Sequence, residues 1–180
     1  LWLVNLWMNE MGKDKTIDLC AWFNEQPRLT ARINTIKVSI EYCLKELQDL
    51  GWTVEQDTYI PEVVYIDGHQ GHLEKAKPVI DGHITFMDKA SMLVAHVVDP
   101  QPGERILDCC AAPGGKSMHM ASLMNNTGAI MSCDIYDHKL DLMNHNAQRL
   151  GVSIVSTKLQ DGRYLPDNWK EQFDRVLVDA

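Results

Sequence analysis

The segment 105–116 carries the strongest chemical pattern in the chain, and it reads Arg-Ile-Leu-Asp-Cys-Cys-Ala-Ala-Pro-Gly-Gly-Lys. Two branched apolar residues followed by Asp108 are typical of the end of a buried parallel strand. The small residues and the pair Gly114 and Gly115 that come next predict a tight loop leading into a helix. Because ligands of open α/β sheets bind at the carboxyl ends of strands, this loop is predicted to contact a small molecule.

Three later acids follow predicted strand ends. Asp134 ends the second predicted strand, Asp161 follows the third and Asp179 ends the fourth. Since parallel strands end at one edge of a sheet, these carboxylates should lie beside the loop. S-adenosylmethionine offers ribose hydroxyls and an adenine amino group but no phosphates, so Asp134 is suited to accept from the ribose and Asp161 from the amino group. Each acid alone would also fit a strand-end cap or a turn.

Two other loop types compete for the same residues. A phosphate-binding P-loop reads Gly-x-x-x-x-Gly-Lys-Ser/Thr; Gly115, Lys116 and Ser117 match its second half, but Cys110 occupies the first glycine position. Pro113 also removes a backbone N–H from the loop. A dinucleotide fingerprint needs three glycines, which this loop does not supply. The methyl donor is therefore favoured, and a P-loop phosphotransferase remains the enzymatic alternative.

Helices and strands alternate through residues 84–180. Helices are predicted to begin at Asp88, Ser117 and Asp137, each after a loop or strand end. Such alternation indicates βαβ units, right-handed crossovers and a parallel sheet, which is an α/β fold. Further strands are predicted at 129–134, 153–157 and 175–179.

The first part of the chain has a different texture. Two short apolar faces at helical spacing, separated by Gly12 and ended by Pro27, predict a helical lead-in over residues 1–27. A strand from Arg28, a helix capped by Ser39 and two further strands then predict a small α+β module over residues 28–83.

This small module could present a sheet face to RNA. The alternation of its first strand places Arg32 on the exposed face, where Arg28, Arg32 and Lys37 form the best local basic cluster. Tyr59 and Tyr65 are the candidates for stacking on bases. A purely structural role for the module fits the same residues equally well.

The composition limits the possible partners. The 180 residues are 45% apolar, enough for a substantial core, and the net charge of −8 argues against a basic coat for nucleic acid, although a groove needs only a few Arg and Lys. No apolar run approaches the roughly 20 residues that span a bilayer, and no signal-peptide pattern is present, so no membrane contact is predicted. Five cysteines without metal-ligand spacing favour a reducing cytoplasm. His69, His72 and Glu74 lack further ligands at fixed spacing, and no metal site is predicted.

The loop Cys110-Ala111-Ala112-Pro113-Gly114-Gly115-Lys116 resembles the signature of the RNA cytosine carbon-5 methyltransferases of the Sun/nucleolar-protein family. The resemblance implies a Rossmann-like class I methyltransferase sheet, truncated in this sequence, that binds S-adenosylmethionine. The Trp-rich lead-in is most similar to the bacterial ribosomal branch, which implies small-subunit ribosomal RNA as the partner. Further segments that resemble the family are Arg32-Ile33-Asn34, Asp88 to Leu93, Arg149-Leu150-Gly151, Asp161-Gly162-Arg163 and Phe173 to Ala180.

The resemblance also implies residue roles. The loop residues 110–116 with Asp134, Asp161 and Asp179 surround the cofactor, and Asp179 also lies beside the target base. Family enzymes add a cysteine thiolate to carbon 6 of cytosine so that carbon 5 can accept the methyl group.

None of the five cysteines matches either catalytic position of the family. The nucleophile follows Asp-Ala as Pro-Cys in the family, so it is expected after Ala180. Leu1 is not a methionine and the chain stops on a predicted strand, so the sequence is expected to be an excerpt that does not methylate RNA by itself. The alternative from another class is a non-catalytic RNA-binding module with the same fold.

Overall fold

The computed structural model describes residues 1–69 and 71–180, which form one antiparallel and one parallel sheet. None of the described helices is both long and apolar enough to cross a membrane. The helices are α1 (Trp2–Met11), α2 (Lys13–Phe23), α3 (Ile40–Asp49), α4 (Lys77–Ile80), α5 (Lys89–Val98), α6 (Gly115–Leu123) and α7 (Asp137–Leu150), with short 3-10 turns at Leu73–Lys75 and Asp167–Trp169. The strands are β1 (Leu29–Ile33), β2 (Thr53–Gln56), β3 (Val63–Gly68), β4 (Ile84–Phe86), β5 (Arg105–Asp108), β6 (Ala129–Asp134), β7 (Val155–Leu159) and β8 (Arg175–Leu177).

Helices α1 and α2 form the helical lead-in, and they meet at Gly12 as the sequence predicts. Gly12 has φ +85°, a left-handed conformation that costs glycine little. The rings of Trp7 and Phe23 stack with their centroids 5.7 Å apart. Aromatic packing therefore joins the two helices.

The antiparallel sheet has the strand order β2-β3-β1-β4. Helix α3 is capped by Ser39, whose hydroxyl oxygen accepts from the Tyr42 backbone N–H at 3.2 Å, and it buries Cys43 and Leu47 in the core of this sheet. Strand β4 pairs with β1. The small module was predicted to end at residue 83, but β4 (Ile84–Phe86) is also part of its sheet.

Arg32 is 1% exposed, so the prediction that it lies on a solvent face is wrong. The alternation itself is correct, because Ala31 and Ile33 pack into the core under α3. The other face of β1 is covered as well. There Arg32 lies close enough to His119 of α6 to lower the pKa of that imidazole. A strand that alternates is half-exposed only when nothing packs on its polar face.

The parallel sheet has the order β7-β6-β5-β8 and confirms the predicted α/β fold. Ile106 and Ile130 lie in register on adjacent strands and are fully buried. Met120 of α6 and Leu150 of α7 belong to the same core. At the entry to β6, Gly128 has φ +120°, and an added Cβ would lie 2.5 Å from the Glu104 carbonyl oxygen. Only glycine fits at this position.

A polar seam, made by the side chains of Asn34, Lys37 and Arg149, joins the two sheets. Asn34 and Lys37, which follow β1, each donate to one carbonyl at the end of α7 and to one in the loop before β4. Arg149 of α7 donates to carbonyls of α4 and β4. Asn34 is 1% exposed. The two bonds of Asn34 are buried, where backbone carbonyls need such partners, so the seam helps to hold the two sheets in one arrangement. The acceptors are Gly82 and Leu150 for Asn34, Asp81 and Arg149 for Lys37, and Val79 and Ile84 for Arg149.

Candidate cofactor site

A cavity of about 520 Å³ opens at the carboxyl ends of the parallel strands, where the sequence places its ligand. Of the predicted site residues, Cys110, Asp134 and Asp161 lie on its wall. Asp179 lies between two wall residues. The full lining is Cys109, Cys110, Asp134, Ile135, Tyr136, Lys139, Asp161, Gly162, Arg163, Val178 and Ala180.

The glycine loop turns tightly between β5 and α6. The Ala111 N–H donates to the Cys133 carbonyl oxygen at 2.8 Å, and the Gly114 N–H donates to the Ala111 carbonyl oxygen at 2.7 Å. Gly114 has φ +97°, and an added Cβ would lie 3.1 Å from Cγ of Met143 in α7. The loop therefore needs glycine both for its backbone and for its packing. Residues 111–116 are not on the cavity wall, so their predicted contact with a ligand stays a prediction.

A buried polar network lies beneath the loop. The Ser117 hydroxyl donates to Oδ2 of Asp108 at 2.7 Å, and the Ser132 hydroxyl donates to the Ser117 oxygen at 2.8 Å. Burial raises the pKa of Asp108, and its Oδ1 has no partner among the described residues. A buried carboxylate with an open acceptor favours a donor or a positive charge nearby.

The three predicted acids differ in how they are held. Asp134 is 8% exposed, and its Oδ1 accepts from the Tyr136 N–H at 3.0 Å. The Lys139 ammonium is 3.7 Å from the same oxygen. These contacts orient the Asp134 carboxylate at the end of β6 while its side chain stays on the cavity wall.

Asp161 and Asp179 each have a cationic partner. Arg163 donates to Asp161 through its backbone N–H at 2.9 Å and through its guanidinium at 2.6 to 3.1 Å, and these side-chain bonds lower the pKa of Asp161 to about 2. The Lys116 ammonium lies 2.6 Å from Oδ2 of Asp179. Both pairs are partly exposed, and such pairs open at little cost when another partner arrives.

The wall residues that sequence reasoning did not assign to the site include Ile135, Tyr136, Lys139 and Arg163. Ile135 and Tyr136 are 53% and 51% exposed, and they add an apolar surface beside Asp134. The signal for this surface was an aromatic and an aliphatic residue directly after the strand-end acid. The cavity thus combines apolar area with a few directed acceptors, as small-molecule sites commonly do.

Three of the five cysteines are poor thiolates. Burial raises the pKa of the Cys109 thiol, that of Cys133 to about 11 and that of Cys43 to about 12. A thiol that stays protonated is a weak nucleophile. Although Cys109 lies on the cavity wall, its buried environment favours packing over nucleophilic chemistry.

The basic cluster predicted on the small module does not form. Arg28 is paired with Glu55 and Asp67, Arg32 is buried, and the Lys37 ammonium donates to backbone carbonyls in the polar seam. The expectation that Arg32 belongs to an exposed basic cluster is therefore wrong, because the side chain is buried. Contact between Lys37 and RNA stays a prediction.

A parallel sheet with a glycine loop after one strand and carboxylates after its neighbours defines a Rossmann-like α/β fold with a nucleoside-type site. Family comparison identifies the fold further: residues 95–180 match the family described as 16S rRNA methyltransferase RsmB/F, and residues 1–71 match its RsmF/B-like ferredoxin-like domain. The chain belongs to the RsmB/F family, which confirms the resemblance seen in the sequence.

Individual relatives agree with this assignment. The probable ribosomal RNA small subunit methyltransferase B of Bacillus subtilis is 36% identical over 180 residues, covering 99% of this chain and 40% of the relative. The tRNA (cytosine(49)-C(5))-methyltransferase of Pyrococcus abyssi is 32% identical and is covered over 53% of its length by 93% of this chain. A solved structure of a methyltransferase homolog protein from Pyrococcus horikoshii is 26% identical with a TM-score of 0.84, over 93% of this chain and 54% of that one. The chain therefore spans about half, or less, of these relatives.

Proposed function

We propose that this chain binds S-adenosylmethionine in the strand-end cavity and forms the cofactor-binding part of an enzyme that methylates cytosine at carbon 5 in ribosomal RNA. The observation that carries the proposal is that Asp134 and Asp161 lie on the wall of one cavity just beyond the glycine loop. Carboxylates in this position accept hydrogen bonds from hydroxyl and amino groups, which a nucleoside offers.

Different wall residues contact the ribose and the adenine of the cofactor. Asp134, oriented by the Tyr136 N–H, accepts from the ribose hydroxyls. Asp161 accepts from the adenine amino group after Arg163 gives up part of its contact, while Ile135 and Tyr136 pack against the adenine ring. The loop residues 110–116 let the backbone approach the remainder of the cofactor.

The charges of the site suit a cation better than a phosphate. The bound cofactor supplies a methyl group on a positively charged sulfur. Asp108 is buried beneath the loop and has one unpaired oxygen among the described residues. Lys116, the residue that a P-loop would direct at phosphates, is paired with Asp179. This arrangement favours the sulfonium cofactor over the P-loop alternative.

The acceptor class rests on the relatives. The Bacillus subtilis relative is named for the ribosomal small subunit and the Pyrococcus abyssi relative for cytosine carbon 5 in tRNA. We therefore propose small-subunit ribosomal RNA as the substrate and the cytoplasm as its location. Carbon 6 of cytosine must be attacked by a thiolate, and the buried Cys43, Cys109 and Cys133 do not suit that role.

Calorimetric titration tests the cofactor assignment directly. We expect S-adenosylmethionine to bind this chain with one site and ATP with Mg²⁺ not to bind; the reverse result would favour a phosphotransferase. Methyl transfer to small-subunit ribosomal RNA, followed by mapping of 5-methylcytosine, tests the reaction in the enzyme that contains this chain. Cofactor binding without methylation of any RNA would instead support a non-catalytic RNA-binding module.

A further inference from the structure

A buried cluster, here called the Glu62 junction, connects the small module to the helix that follows the glycine loop. It consists of Glu62 before β3, Arg32 in β1, His96 in α5 and His119 in α6. Oε1 of Glu62 lies 2.6 Å from Nε2 of His96 and 2.8 Å from Nε2 of His119. The two imidazole rings meet edge to face with centroids 5.3 Å apart. One carboxylate oxygen thus contacts both helices.

The hydrogen bond between Glu62 and His119 in this junction is buried, so water does not compete with it. Glu62 is 8% exposed, Arg32 is 1% exposed and His119 is fully buried. Burial opposes ionisation of Glu62, but the hydrogen bonds from His119 and His96 prevail and lower its pKa to about 2. A buried carboxylate that loses such donors has no water to replace them. The donors are therefore held in fixed positions around Glu62.

Helix α6 carries this constraint to the cofactor loop. The helix begins at Gly115, so Lys116, Ser117 and His119 all lie in its first turn and a half. Ser117 attaches the helix to Asp108 at the end of β5, and Lys116 contacts Asp179 just after β8. His119 supplies the attachment to the small module. Contacts with the parallel sheet and with the small module thus fix the position of the first turns of α6 and of the loop before it.

We propose that Glu62 is a positioning residue for the cofactor site, which it controls from the small module by holding His119 and the first turns of α6. This inference rests on the proposed function, because it assigns the loop before α6 to S-adenosylmethionine. Whatever shifts the small module, including RNA that docks on it, would then change the affinity for the cofactor through Glu62. By linkage, the bound cofactor would favour one position of the module.

The geometry favours hydrogen bonding over a metal ion in the junction. Glu62, His96 and His119 bring three possible ligand atoms within 4.8 Å of one another. Both Nε2 atoms, however, are at hydrogen-bond distance from one carboxylate oxygen, and the buried guanidinium of Arg32 is a positive neighbour of Glu62. A divalent cation would be repelled by that guanidinium.

The test compares Glu62 with a matched pair inside the small module. Oε2 of Glu46 in α3 lies 2.7 Å from Nδ1 of His83, with both side chains about 15% exposed, and neither residue belongs to α6. Glu62→Ala, Glu62→Gln and Glu46→Ala are each titrated with S-adenosylmethionine at a temperature where circular dichroism shows the fold intact. Hydrogen exchange of the α6 amides is measured in the ligand-free proteins.

We expect Glu62→Ala to weaken cofactor binding about tenfold, a size typical of coupling between sites. Glu62→Gln, which keeps an acceptor oxygen, should recover part of the loss, and Glu46→Ala should bind as the wild type does. The α6 amides should exchange faster than in the wild type in both Glu62 variants, but not in Glu46→Ala. If Glu62→Ala does not fold, the cofactor affinity and the α6 hydrogen exchange of Glu62→Gln test the proposal.

Unchanged affinity and unchanged α6 exchange in a folded Glu62 variant would overturn the positioning role. Equal losses in the Glu46 and Glu62 variants would overturn it too, because they would reflect general destabilisation. Stoichiometric Zn²⁺ binding by the wild type that disappears in His96→Ala would replace it with a metal site. If the wild type does not bind S-adenosylmethionine at all, the proposed function fails, and the exchange experiment still tests the junction.

Discussion

The contact region between the two sheets and the strand-end cavity both contain polar side chains, but in opposite settings. In the contact region, Asn34, Glu62 and His119 are buried, and the Asn34 amide, Oε1 of Glu62 and Nε2 of His119 make hydrogen bonds within the fold. In the cavity, Asp134 and Asp161 face open space, and each is held by contacts that a ligand can add to or replace. Buried polar groups therefore set the arrangement of the sheets, while accessible ones are available for binding.

The largest effect is expected at Asn34. Asn34→Ala removes two 2.8 Å hydrogen bonds and leaves two carbonyl oxygens in the polar seam without donors. The free energy of unfolding should fall by about 3 kcal/mol, measured by urea denaturation. Asn24→Ala, which removes one exposed bond to the Cys20 carbonyl oxygen, should cost less than about 0.5 kcal/mol. Equal losses in both variants would show that the seam does not stabilise the fold.

Stability should also depend on the protonation of His119. Burial lowers its pKa to about 4, although the hydrogen bond to Glu62 opposes this, and Arg32 and His96 lower it further. The unfolded chain then binds the proton more readily, so stability falls as the pH drops from about 6.5 to about 4, by up to about 3 kcal/mol. Urea denaturation at several pH values measures the slope. His119→Gln should flatten it in this range; an unchanged slope would assign it to other groups.

At Asp134 we expect an effect on binding rather than on folding. Asp134→Asn keeps an oxygen for the Tyr136 N–H but loses the charge, so affinity for S-adenosylmethionine should fall by about 2 kcal/mol, or roughly thirtyfold. The free energy of unfolding should change by less than about 0.5 kcal/mol. Asp137→Asn, in the first turn of α7 and off the cavity wall, is the control. A large loss of stability with unchanged affinity would place Asp134 among the structural residues.

The smallest effect is expected at Arg163. Arg163→Gln removes the side-chain bonds that lower the pKa of Asp161, so that pKa should rise toward its ordinary value in a carboxyl NMR titration. The free energy of unfolding should change little because the pair is exposed and screened by solvent. Affinity for the cofactor should rise slightly, since Asp161 loses a competing donor. A marked fall in affinity would mean that Arg163 itself contacts the ligand.

The sequence alone determined the local features of this protein. The spacing of apolar residues and the positions of glycines identified the lead-in helices, α3 and the strands around the loop. Such helices and strands depend on residues that are neighbours in the chain. The loop motif and the strand-end acids located the cavity edge, because parallel strands necessarily end together. The roles of those residues toward S-adenosylmethionine stay a prediction.

Only the tertiary structure decided what covers each surface. Arg32 alternates as an exposed residue would, yet it is buried beside Glu62 and His119, and Lys37 donates to the Arg149 carbonyl oxygen, 112 residues away in the chain. The junction of Glu62 with His96 and His119 has no spacing signal, because its members come from separate elements. Burial is a property of the packed chain, so a sequence pattern can place a residue on a face but cannot say whether that face meets water.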